Sequence, residues 1–452
     1  MALIELDLDA PPVHPPSWPP ARYFRYVTVF AGVVLTLALG GSAPAAATFW
    51  QRAGTVPLTG ASASYQLGGG LLYTLDGNAN RRTATAWSLD PVRRLWSVSS
   101  DLRLDPSGSV IQDDASLSAA GRYTLLQTSA GTTVIDPRTG VVRWASRASL
   151  VAHSGNVGIV QQTEFAARTE YDEASGNPGP LYWSDDGVPH TQPPDHTVLR
   201  GIDLGTQREL WRVIESGSVF VESVGGDASG FVVIAADRIA LLAASTGAVV
   251  RDRALPRYAG NDVSYPEFAG DLLVLRHDVS DTGAGTATAF SLDTLEQRWQ
   301  VTEPAQDGSQ GVCLGLPCEQ QPDGLAVLDP ATGTPRWVAP RGVTIARWGS
   351  DALELGGSTR TTALSVRDLQ TDTVKVDLRG WQITSGSLGG ASIVLFRIQQ
   401  ATGRAGFGLL TPGASGVQLL GLSAERVEQC ASDEKHVACR TGSGVEAWSY
   451  RT

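Results

Sequence analysis

A short pattern returns along this chain, and no other feature limits its fold as strongly. Val134-Ile-Asp-Pro-Arg-Thr-Gly-Val-Val-Arg-Trp144 and Val327-Leu-Asp-Pro-Ala-Thr-Gly-Thr-Pro-Arg-Trp337 share an apolar pair, an Asp, a Thr-Gly step and a closing Trp. Gly201–Trp211 is a looser copy, and Ala86–Trp96 and Phe290–Trp299 read as shortened ones. Degenerate copies lie at Leu242–Arg251, Val366–Val376 and Leu410–Leu419, and a truncated one at Ala447–Thr452. Each position has a physical role. The apolar residues alternate as in a strand. Asp accepts hydrogen bonds from backbone two residues on and starts a turn. Pro presets one φ, and Gly supplies a positive one. Trp is a large packing group on the returning strand. The Asp-to-Trp separation is eight in Asp136/Trp144, Asp203/Trp211 and Asp329/Trp337. It is six in Asp90/Trp96 and Asp293/Trp299. Both are even, so every Trp keeps the same sheet face. Gly140 and Gly333 fill the turn position that needs φ above zero.

Marked at the place Asp holds in the full copies, the units fall at 90, 136, 203, 243, 293, 329, 368, 411 and 451. Their mean spacing of about 45 residues is that of a four-stranded propeller blade. Further strands are expected at 122–127, 231–235, 272–275 and 392–396, and no amphipathic helix breaks the series. The expectation is an all-β chain forming a single β-propeller over 55–452, with eight blades and with seven or nine also open. The last copy stops within its third strand, so Phe49–Arg52 or Thr55–Leu58 is expected to supply the closing strand and remove a sheet edge.

Residues 26–50 carry no charge and are long enough to cross about 30 Å of hydrocarbon as a helix. Arg22 and Arg25 precede them, and Arg52 is the first charge after. The expected arrangement is a cytoplasmic Pro-rich tail (1–25), a transmembrane anchor (26–47) and an extracytoplasmic body, single-pass in the cell membrane. A signal peptide cleaved near Ala43–Ala47 is the other reading, and it also exports the body. The net charge of −11 leaves no basic surface for nucleic acid, and a monomer is expected. Cys313 with Cys318, and Cys430 with Cys439, each bracket one short turn. They are read as two local disulfides, or as buried thiols.

The Asp-x-x-Thr-Gly-x-x-x-Trp unit, clearest at 136–144 and 329–337, resembles the repeat of pyrroloquinoline-quinone-type (PQQ-like) propellers. That superfamily includes quinoprotein alcohol dehydrogenases and the lipoprotein of the outer-membrane barrel assembly machinery. The acidic, Pro-rich leader before one span is similar to membrane-anchored PQQ-like repeat proteins of high-GC Gram-positive bacteria. The resemblance implies a fold but not an activity. It also implies what a quinoprotein would require: adjacent cysteines and a Glu/Asn/Asp set holding calcium. The chain has no adjacent Cys pair, and no such acidic set is recognisable in it.

One interval, from 136 to 203, is stretched to 67 residues by an insertion at 164–196. It holds Tyr171, Tyr182, Trp183, Asp185, Asp186 and His190. It is expected to join a second and a third strand, on the face opposite the Asp-Thr-Gly turns. Long loops on rigid scaffolds carry function, and exposed aromatics among acids can anchor a protein or a glycan. A metal site from Asp185, Asp186 and His190, or a solvated loop without a ligand, are the alternatives. The expected function is therefore a non-catalytic, membrane-tethered binding or scaffold propeller, without cofactor or metal, whose partner is a protein or a cell-envelope ligand. The alternative is a quinoprotein-type dehydrogenase using PQQ and calcium.

Overall fold

In the computed structural model the repeat becomes a series of antiparallel units. The structure describes residues 49–451 apart from 59–62, 79–80, 102–114, 129, 173, 175, 177–180, 185–186, 225–229, 256–265, 279–284, 304–311, 358–359 and 390. The expected tail and anchor (1–47) lie outside the described residues. Among the described residues no helix is long and apolar enough to cross a membrane. The chain divides into residues 1–49 with 451–452, and residues 50–450. The strands belong to the second part, with Phe49 and Arg451 at its edges.

Strands are the rule among the described residues, with a 3₁₀ turn at Ser387–Gly389. Grouped by their turns, the strands among the described residues fall into nine units, at 64–101, 116–146, 150–216, 219–254, 267–303, 312–340, 344–383, 393–426 and 428–451; the seventh and eighth belong to one eight-stranded sheet, since the end of Val374–Ile383 pairs with Ile393–Ile398. Each of the nine turn positions has its own unit, because even the copy near Thr411, which lacks both Asp and Trp, keeps the alternating core residues a strand needs. The ninth unit takes its fourth strand from Phe49–Val56, in the order Phe49–Val56, Gly444–Arg451, His436–Thr441, Glu428–Ser432. That strand includes Phe49–Arg52, one of the two stretches expected to close the last unit.

First strands of neighbouring units lie side by side. Val312–Leu314 pairs in parallel with Thr344–Trp348, and Ser385 bridges Ala431 in parallel. Val312–Leu314 is thus bonded to the first strand of unit 7, not to the second strand of its own unit, Cys318–Gln321. The disulfide Cys313–Cys318 spans that break. Cys430–Cys439 joins directly paired residues of unit 9 and is also a disulfide.

The turn chemistry recurs closely. Oδ1 of Asp136 accepts the N–H groups of Arg138 and Thr139. Asp203, Asp329 and Asp368 do the same two and three residues on. The second oxygen takes a cation seven residues later: Arg143 on Asp136, Arg336 on Asp329, Lys375 on Asp368. The fourth residue after the turn opener has positive φ in six units, at Gly140, Gln207, Gly247, Leu295, Gly333 and Asp372. A bulge then precedes the turn, and Trp144 faces Val134 just before it, as Trp211 faces Gly201.

Register corrects one expectation. Trp96 faces Ala86 and Trp299 faces Ala289, with the bulge one step on, as in the full copies. The residues eight before these Trp are Ser88 and Ser291, so the copies at Asp90 and Asp293 are not shortened. Serine occupies the Asp position, and Ser291 receives the Leu295 N–H on its carbonyl just as Asp136 receives that of Gly140. Asp90 and Asp293 lie two residues further on.

Each indole is buried against the following unit. Trp96 Nε1 donates to Pro137 O (2.8 Å), Trp144 to Leu204 O (2.8 Å), Trp211 to Ala244 O (2.7 Å) and Trp299 to Pro330 O (3.1 Å). Every acceptor is the residue after the turn opener. The turn glycine behind it leaves room: a Cβ on Gly140, Gly247 or Gly333 would meet Trp96, Trp211 or Trp299 at 2.3 Å, 2.5 Å and 2.7 Å. Trp337 lies under Arg367 at 4.8 Å, while Arg336 takes the matching carbonyl of Leu369. Between units 8 and 9, Trp50 packs against Gly421 and stacks on Phe407 and Trp448. The ninth unit returns to the first through polar groups: His436 Nε2 and the Ser449 hydroxyl both reach the Asp90 carboxylate (2.8 and 2.7 Å).

Candidate functional site

The insertion rises from a regular ladder. Val157–Glu164 and His196–Asp203, the second and third strands of unit 3, pair without a break from Val157↔Asp203 to Glu164↔His196. The other connections of this kind run two to six residues, so this one is out of scale with its equivalents. At its neck, His196 Nε2 meets Glu164 Oε2 at 3.0 Å and the Asp195 N–H donates to Glu164 O.

Above the neck the insertion builds a small sheet of its own. Tyr182–Trp183 pairs with Pro189–His190, the Ser184 N–H donates to Val188 O, and Glu170 bridges His190 from the other side. Thr191 N–H donates to Thr169 O, and Tyr171 N–H to Pro189 O. His190 is the centre of this sheet. It is buried, stacked on Phe165 with ring centroids 3.8 Å apart and planes 6° from parallel. Its Nδ1 lies 2.9 Å from Thr169 Oγ1. That hydroxyl gives its single proton to Ala166 O, so Nδ1 carries the hydrogen shared with Thr169.

The six residues singled out from the sequence therefore separate by role. His190 packs and orients the insertion. Tyr171 ties the loop through its hydroxyl to Gly176 O. Tyr182 is half-buried on the ribbon, and Trp183 beside it is 62% exposed. Asp185 and Asp186 lie outside the described residues, so the metal reading that needs them has no geometry here. Among the described residues no group of three or more His, Cys, Asp or Glu is gathered for a metal. Exposed Trp is uncommon on a monomeric surface and enriched where proteins are bound.

A second concavity lies between units 1 and 2, with a volume of about 530 Å³ and walls that include Leu71, Tyr73, Leu117, Ser118, Arg122 and Arg138. It lies at turns between first and second and between third and fourth strands, the end of the sheets opposite the insertion. Nothing in sequence periodicity marks it, since it arises between two repeats.

A family model described as outer membrane protein assembly factor BamB matches residues 195–368, from the third strand of unit 3 to that of unit 7. Over that stretch, less than half of the chain, the repeats are similar to those of this family. No curated protein matches the chain. Among solved structures, BamB from Moraxella catarrhalis is 14% identical, with 87% of this chain and 99% of that one covered at a TM-score of 0.39. A structure titled as the eukaryotic initiation factor gives 9% identity, 83% and 96% coverage and a TM-score of 0.48. Dihydro-heme d1 dehydrogenase NirN gives 12%, 83%, 79% and 0.43. At these scores no property is carried over from them.

Proposed function

We propose that this chain is a non-catalytic binding and scaffold propeller. Residues 26–47 tether it to the cell membrane with the N-terminus cytoplasmic, and the body, outside the cytoplasm, holds a protein or cell-envelope partner through the insertion at 164–196. The observation that carries the reading is Trp183: a largely exposed indole on a ribbon that buried His190 and Thr169 hold rigid. A rigid aromatic loses little side-chain entropy on binding and supplies a large contact area. The matching family model is described as an assembly factor, which agrees with holding other proteins rather than transforming a substrate.

The test is site-specific photo-crosslinking in intact cells, with the crosslinker at 183 or, as control, at Ala331, exposed in a turn on the opposite end. A discrete adduct at 183 that Thr169→Val weakens supports the reading. Equal adducts at both positions count against it. Dye-linked dehydrogenase activity after adding PQQ and calcium would overturn the non-catalytic assignment.

A further inference from the structure

The concavity between units 1 and 2 has a structural origin in the register. In unit 2 the first strand, Ser116–Ala120, turns at Gly121–Arg122 into the second, Tyr123–Thr128, with Ala120 facing Tyr123. In unit 1 the strand Ser64–Gly68 turns at Gly69–Gly70 into Leu71–Asn78, with Gly68 facing Leu71. Tyr123 and Leu71 are therefore equivalent. Tyr123 reaches across to the next unit's turn, where its hydroxyl lies 2.5 Å from where a Cβ on Gly205 would be. Leu71 is too short to make the same reach to the turn at Asp136–Arg138, and the space it leaves stays open. A Cβ on Gly68 or Gly69, along its wall, would meet nothing within 4 Å.

The lining is chemically directed. Leu71, Tyr73 and Leu117 form an apolar floor, and Tyr73 spends its hydroxyl on Thr124 (3.2 Å). Ser118 Oγ is buried and has no hydrogen-bond partner among the described residues, the kind of unsatisfied polar atom that a bound group or water can complete. Arg122 and Arg138 stand at the rim. Among the described residues the Arg122 guanidinium, held over the Tyr123 ring, is committed only through Nε, to the Tyr123 hydroxyl, and Arg138 is engaged only through its backbone N–H. The one carboxylate in the lining, Asp136, is already paired with Arg143. In a chain of net charge −11, this is a local excess of two guanidiniums above an apolar floor.

We infer that this cavity binds a carboxylate carried on an apolar body, with Arg122 and Arg138 on the carboxylate and Leu71, Tyr73 and Leu117 under the body. The volume suits a small ligand. Guanidiniums match carboxylate geometry in a way that a point charge does not. The carboxylate has two sources, a free organic acid or the C-terminus of a peptide ending in an apolar residue.

Calorimetric titration of the full chain with 3-phenylpropionate and with its amide tests the chemistry, and the peptide Ala-Ala-Phe with free or amidated C-terminus tests the source. Either carboxylate binding at least tenfold more tightly than its amide supports the site, and which of the two binds names the source. Arg122→Ala/Arg138→Ala is expected to lose that preference. Leu71→Phe, which fills the space as Tyr123 does next door, is expected to abolish binding while leaving the circular dichroism spectrum unchanged. Equal affinity of acid and amide, binding unaltered by Leu71→Phe, or no binding by any probe at 10 mM overturns the inference.

Discussion

Replacing Gly247 with alanine tests whether the indole seams hold the units together. Trp211 is confined between two glycines. A Cβ on Gly201, its cross-strand partner, would lie 2.1 Å from the indole, and one on Gly247, from unit 4, would lie 2.5 Å away. The ring is buried, donates to Ala244 O and tilts 60° against Phe231. Gly247 also has φ of +65°, so Gly247→Ala imposes two costs. The left-handed backbone accounts for about 1–2 kcal/mol. Displacing a packed indole adds about 1–3 kcal/mol for overpacking and about 1 kcal/mol for a lost hydrogen bond. The expected total is about 3–6 kcal/mol.

Gly413 supplies the control: its φ is +76° and a Cβ there would meet nothing within 4 Å. Gly413→Ala should cost only the backbone part. Urea unfolding followed by circular dichroism gives the comparison, and hydrogen exchange should place the extra loss of protection at units 3 and 4, since repeat arrays weaken locally. In a Trp211→Ala background the added methyl has space, so the cost of Gly247→Ala should fall to that of Gly413→Ala, a coupling of about 2–4 kcal/mol. If Gly247→Ala and Gly413→Ala are equally mild in the parent chain, the indole seam does not carry the load assigned to it.

At the junction of units 9 and 1, burial alone lowers His436, but Asp433 and then Asp90 more than offset it and hold its pKa above the ordinary value. Asp433, which burial would raise, is kept low by His436 and the Lys435 N–H. Tyr450, pushed up to about 12 mainly by burial, stays neutral. The contribution of His436 is complete below its unfolded value of about 6.5 and is lost as pH rises through the raised folded value. That of Asp433 is complete above about pH 3.9 and fades as pH falls through the lowered one. Urea midpoints at pH 5–9 should decline on the alkaline side for the parent chain, and His436→Gln should remove that part of the slope; an unchanged slope refutes the assignment. Between units 3 and 4, Arg238 holds Glu215 through two nitrogens at 2.6–3.0 Å, and Glu215 is 3% exposed. Arg238→Ala is expected to cost about 2–3 kcal/mol in urea unfolding, less than a fully buried pair because Arg238 reaches solvent. Glu215→Gln/Arg238→Ala should recover part of it.

The strand units are legible in the sequence because turn chemistry is local: Asp136, Thr139 and Gly140 bond within six residues of one another. The insertion is legible from spacing alone. Two features are not. The copies at Asp90 and Asp293 read as short when Asp is the marker, whereas Ser88 and Ser291, eight before their Trp, are the equivalents; a hydroxyl residue there is common in turns and gives no distinct signal. The acceptors of the indoles cannot be read either, since each lies on the following unit, 31 to 60 residues on. His190, a candidate metal ligand by sequence, is the packing centre of the insertion, a difference that only Phe165 and Thr169 around it reveal.

The same rule that closes the seams also explains where one stays open. A seam needs a long side chain reaching the next unit's turn, and Tyr123 and Trp144 both supply that reach from unit 2 to unit 3. From unit 1 to unit 2, Trp96 makes its bond to Pro137 O, but Leu71 falls short. The seam is therefore secured at its fourth strand and hollow nearer its first. A cavity made this way is held open by a docked indole, so ligand binding there should leave the strand units in place. Because a connection between second and third strands and one between first and second strands leave a sheet at opposite ends, Trp183 and the Arg122–Arg138 pair do not share a surface. Leu71→Phe should accordingly abolish carboxylate binding without changing crosslinking at 183, and Thr169→Val should do the reverse. Loss of both functions in either variant would mean that the two ends are coupled through unit 2, against the seam-by-seam stability inferred from Gly247 and Trp211.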